Sequence, residues 1–112
     1  MWWKILKSLW TPLWFPLDKK YLTVTEAELK QMYLDMPKMK YVADTYDCDD
    51  FAFVFKGSAA FRTNAVGIVI GWHKGMHCWN CANLKDRLIQ IEPQNGLVFK
   101  HKKNYIPFMV IM

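Results

Sequence analysis

From Ala65 onward the chain consists of short apolar runs, AVGIVIGWHK, MHCWNCANLK, LIQIEPQ, LVFKHK and YIPFMVIM, and no other feature narrows its fold as much. Runs of this length, rich in β-branched and aromatic residues and punctuated by turn residues, read as adjacent β-strands. The reversals fall at Lys74-Gly75, around Lys85-Asp86, at Asn95-Gly96 and near Lys103-Asn104. Asn95-Gly96 suits a type I′ hairpin, because both residue types tolerate a positive φ. Ahead of the strands, Thr25 and Glu28 form a capping box that opens a helix over 26 to 35. Leu29, Met32, Tyr33 and Met36 hold one face of it, and Pro37 closes it. Asp47 and Asp50 repeat the capping logic for a second helix that begins at Cys48 and leads to Gly57, although its FAFVF segment also permits a strand. Helices first and adjacent antiparallel strands afterwards give an α+β domain.

A chain of 112 residues has room for one core, so the expectation is a single domain over 1–112. Its 53% hydrophobic content, with six Trp, seven Phe and five Tyr, excludes the disordered classes. The net charge of +5 comes from 13 Lys and two Arg against ten acids. That Lys-heavy balance argues against a nucleic-acid reader, since bidentate recognition favours Arg. Three Cys cannot all pair, and they read as reduced thiols.

Residues 1–17 form an aromatic N-terminal arm in which Trp3, Leu6, Trp10 and Leu13 fall near helical spacing. Lys4, Lys7, Ser8, Thr11 and Pro12 break the apolar run, so it is neither a signal peptide nor a membrane-spanning helix. Two readings remain: the arm wraps the core, or it rests on a membrane surface. The expected setting is the cytoplasm.

Cys48 is the sharpest chemical candidate. At a helix N-terminus, free backbone N–H groups and the macrodipole favour the thiolate, while Asp47, Asp49 and Asp50 oppose it, so activation needs an imidazole. His77 supplies one. A turn centred between Leu84 and Lys85 sets His77 opposite Glu92 with Cβ atoms about 5 Å apart, close enough for the carboxylate to orient the ring. The competing set His73, His77, Cys78 and Cys81 contains C-x-x-C, but four ligands within nine strand positions converge poorly on a zinc tetrahedron. No metal site is therefore assigned. Lys100 to Lys103 reads as a solvated basic turn.

The blocks YDCDDFA (Tyr46 to Ala52), MHCWN (Met76 to Asn80) and IEPQ (Ile91 to Gln94) resemble the papain-like C-terminal domain of the mushroom agglutinin (lectin MOA-related) family and its small bacterial and phage relatives. The likeness covers residues 41–99. It implies a minimal papain-like fold, with a cysteine-bearing helix packed on an antiparallel sheet. It also implies a small cysteine hydrolase of peptide or amide bonds, with Cys48 as nucleophile, His77 as base and Glu92 as its orienting acid. If a phage encodes the chain, the setting becomes the host cytoplasm. Protein or peptide is then the expected substrate or partner, with no nucleic acid and no transmembrane segment. The residues fix no cofactor. The resemblance brings in calcium, for which Asp44, Asp47, Asp49 and Asp50 offer oxygens outside any EF-hand spacing. The alternative is a non-catalytic binding or inhibitor module on the same scaffold.

Overall fold

In the computed structural model, which describes residues 1–112, the arm folds first as helix α1, Trp2–Leu9. Ile5 and Leu9, one turn apart, are fully buried, while Trp3, Lys7 and Trp10 face outward. Trp10 takes a left-handed φ of 58° and stops the helix just before Pro12. Strand β1 follows at Leu13–Phe15. Helix α2, Glu26–Asp35, starts as its capping box requires: the Glu28 amide donates to Thr25 Oγ1 at 3.1 Å and the Thr25 amide to Glu28 Oε1 at 3.0 Å. Helix α3, Cys48–Ala60, begins at the cysteine, with the Asp47 amide donating to Asp50 Oδ2 at 3.2 Å. It does not close at Gly57 but runs three residues further.

Five more strands complete the sheet: β2 Val66–Trp72, β3 Met76–Asn83, β4 Leu88–Glu92, β5 Leu97–Phe99 and β6 Ile106–Ile111. Their spatial order is β1-β6-β2-β3-β4-β5. The Asn95-Gly96 reversal falls where expected but is longer than a two-residue hairpin. Glu92 pairs with Leu97, four residues form the loop, and Gly96 takes a φ of 78°.

The fold expectation needs correction at this level. The sheet is not antiparallel but mixed, and it carries three helices in place of the minimal papain-like arrangement. The cause is the arm. After α1 the chain turns back, Thr11 Oγ1 donates to the Phe108 carbonyl at 2.5 Å, and β1 lies parallel to β6 with Trp14 beside Val110. A parallel pair needs a long connection, here nearly the whole chain.

Hydrophobic cores cover both faces of the sheet. Phe51, Phe55 and Ala59 of α3 pack with Leu29 and Met32 of α2 over Val66, Ala82, Ile89 and Ile91. On the other face Ile5 and Leu9 of α1 meet Val69, Trp79, Cys81, Leu88 and Val110. Covering both faces explains why β2 reads as an unbroken apolar run rather than an alternating one. Asn80, fully buried on the α3 face, joins helix to sheet: its Nδ2 donates to the Ala52 and Gly67 carbonyls, each at 3.0 Å.

Candidate functional site

A cleft of about 410 Å³ opens where α3, the start of β3 and the end of β4 meet, and Cys48, His77 and Glu92 all line it. The hairpin register differs from expectation by two residues, because the reversal is centred later: Asn80 pairs with Ile91 and Cys81 with Gln90. An even shift keeps every side chain on its face. His77 and Glu92 therefore remain on the same side, as a diagonal pair rather than a direct one, and His77 Nε2 donates to Glu92 Oε1 at 2.6 Å.

Glu92 is nearly buried and collects further donors: Tyr105 Oη reaches the same oxygen at 3.0 Å, and the Gln94 amide reaches Oε2 at 3.3 Å. Burial first, then the adjacent Glu92 carboxylate, pushes the Tyr105 phenol far above its ordinary range, so it stays a donor. His73 stacks on Tyr105 with centroids 3.8 Å apart, and its Nδ1–H donates to the Asn104 carbonyl at 3.0 Å. Beneath His77, Trp79 is held by Nε1 donating to Gln90 Oε1 at 2.8 Å, and Gln90 Nε2 donates to the Lys100 carbonyl at 2.6 Å. Sequence reasoning did not find Tyr105 or the Trp79–Gln90 pair. Trp79 and Gln90 meet across the β3–β4 hairpin and Tyr105 reaches Glu92 from just before β6, and no local motif marks either contact.

Cys48 stands differently. Along β3, Cys78 points to the α3 face and His77 to the opposite one, as strand alternation requires. Cys48 lies beside Cys78, whose thiol is pushed up to about 11 by burial and by the neighbouring Cys48 and Asp49. The imidazole Nε2 is committed to Glu92, and no hydrogen bond joins His77 to Cys48. The same alternation separates the zinc set, with His77 and Cys81 on one face and Cys78 on the other; burial pushes Cys81 up to about 12.

Carboxylate oxygens of Asp47, Asp49 and Asp50 lie within 4.8 Å of one another, and Asp44 is not among them. A hydrogen bond with Asp49, partial burial and the charges of Asp49 and Asp50 raise the Asp47 carboxyl to about 6. Three hard oxygen donors suit a calcium ion better than a transition metal.

The family model described as ricin-type beta-trefoil lectin C-terminal domain matches residues 8–112. Two solved structures share the fold. One, described as a PSL1a–E64 complex, superposes with a TM-score of 0.75 at 23% identity, covering 88% of this chain and 43% of that one. The other is Polyporus squamosus lectin bound to the epitope Neu5Acα2-6Galβ1-4GlcNAc, with a TM-score of 0.74 at 21% identity, covering 88% and 42%. The chain thus spans less than half the length of these lectins. No curated protein sequence matches it. The agglutinin C-terminal resemblance stands. The cysteine hydrolase expectation is corrected: the match is to a lectin C-terminal domain and to lectin structures.

Proposed function

Because the chain belongs to the ricin-type beta-trefoil lectin C-terminal domain family, we propose that it is a non-catalytic binding module whose cleft takes a short glycan. The observation that carries this reading is the cleft lining. Gln94 and Asn95 present planar donors and acceptors, Lys74 adds a cation, and the exposed ring of Tyr41 also lines the cleft. Sugars offer closely spaced hydroxyls, which such groups bond in pairs, and C–H faces, which stack on aromatic rings. Lys74, at the tip of the β2–β3 turn with a φ of 58°, is placed to meet an acidic sugar. The lectin of similar fold is bound to a glycan ending in such a sugar.

The His77–Glu92–Tyr105 cluster then serves as a rigid floor to the cleft. Calcium belongs to the same proposal: Asp47, Asp49 and Asp50 would hold it, and its charge would relieve their mutual repulsion beside the cleft. No helix is long and apolar enough to cross a membrane.

Titration of the labelled protein with Neu5Acα2-6Galβ1-4GlcNAc, followed by amide NMR, tests the reading. Saturable shifts at Lys74, His77, Gln94 and Asn95 are expected, with a Kd of about 1 mM or tighter, equivalent to roughly −4 kcal/mol. Saturation elsewhere, or none, overturns it. Iodoacetamide at about pH 6 tests the non-catalytic part, where Cys48 should react no faster than a model thiol.

A further inference from the structure

The cleft leaves an exposed cluster of tryptophans without a role. Trp3 of α1 and Trp10, the residue that caps the helix, face away from the core, 73% and 72% exposed, with Lys7 between them in the sequence and Trp2 beside Trp3. The core does not need these rings, because Ile5 and Leu9 anchor the helix from the other side. Trp10 also stacks on His101 with centroids 3.8 Å apart, which joins the helix to the β5–β6 turn and its Lys100, Lys102 and Lys103. The result is a single surface on which large amphipathic rings stand among cations. Its one carboxylate, Asp86, is 3.5 Å from Arg87.

Ring area of this size left in water is unfavourable unless something covers it. Trp rings flanked by lysines are the composition that settles at the boundary between lipid headgroups and acyl chains: the indole buries its apolar body, keeps its N–H in the polar layer, and the ammoniums meet lipid phosphates and carboxylates. The surface is an outward-facing helix side and a turn, and it uses Lys rather than Arg throughout the turn, so it suits a diffuse anionic plane better than bidentate recognition of a single partner.

We propose that α1 and the 100–103 turn dock the domain on an anionic lipid bilayer, with Trp3 and Trp10 entering the interface and Lys7, Lys100, Lys102 and Lys103 supplying the charge.

Co-sedimentation with vesicles of phosphatidylcholine, with and without phosphatidylserine, tests it, together with the tryptophan emission of the bound protein. Binding should require phosphatidylserine, blue-shift the emission and weaken as salt rises above about 0.1 M, where screening reaches about 10 Å. The triple variant Lys100→Gln, Lys102→Gln, Lys103→Gln should lose about 100-fold in partitioning, since each lysine near such a surface contributes about five-fold. Trp3→Ala with Trp10→Ala should abolish the blue shift. These rings are exposed, and circular dichroism checks that the fold is kept; the lysine variant decides the matter if it is not. No binding to phosphatidylserine vesicles, equal binding to both vesicle types, or an unaffected lysine variant would overturn the proposal.

Discussion

Replacing Glu92 tests how the cleft floor is held. The side chain is 5% exposed and its carboxylate accepts from His77 Nε2, Tyr105 Oη and the Gln94 amide. Hydrogen bonds to a charged group contribute about 1.5–3 kcal/mol each, so three sum to roughly 4–9 kcal/mol before solvation. Keeping a carboxylate out of water costs several kcal/mol, which offsets much of that sum. Glu92→Ala should therefore destabilise by about 3 kcal/mol, a large share of the 5–15 kcal/mol typical of a domain. Glu92→Gln keeps an accepting oxygen for His77 and Tyr105 but turns an NH2 toward the Gln94 amide, and should lose about 1–2 kcal/mol. Urea unfolding at neutral pH, read as a midpoint change at constant m, measures both. A cycle with His77→Ala should show coupling above about 1 kcal/mol. If Glu92→Ala changes stability by less than about 0.5 kcal/mol, or the coupling vanishes, the buried cluster is not what holds the floor.

Two glycines should respond in opposite directions. A Cβ at Gly71 would lie 2.2 Å from the Ile106 carbonyl oxygen and 2.6 Å from the Trp79 ring, at the bulge in the β2–β6 ladder; Gly71→Ala should cost at least about 2 kcal/mol. Gly57, inside α3 with nothing within 4 Å of such an atom, should gain about 0.5–1 kcal/mol as Gly57→Ala, and matching melts would check both. The raised Asp47 carboxyl makes a pH prediction. Its folded value of about 6 lies above the unfolded one, so the folded state binds the extra proton and this group's contribution falls as pH rises from about 4 to 6. Asp49→Asn should raise Tm at pH 7 and leave it unchanged below about pH 4; an equal change at both would contradict the coupling.

Much of the scaffold was legible because its signals are local. The Thr25–Glu28 box, the helix opening at Cys48 and the five strands after Ala65 each depend on residues within a few positions of one another. The misreadings came from long-range pairing. Strand β1 is three residues long between two prolines, too short to show alternation, and its partner lies almost a hundred residues away. At the site, pairing arithmetic found the His77–Glu92 face but not which face Cys48 would approach. That depends on α3 packing beside Cys78, a matter of tertiary contact.

The placement of β6 between β1 and β2 bears on how the chain reaches its native state. The Phe15 carbonyl accepts from the Met112 amide at 3.1 Å, the Met112 carbonyl accepts from Leu17 at 2.8 Å and from Tyr21 Oη, and Val69 pairs with Val110. The arm can find its place in the sheet only once residues 106–112 are available. Closure is thus a late event of high contact order, and a chain stalled on the ribosome before that point exposes an unpaired β2 edge together with the aromatic arm.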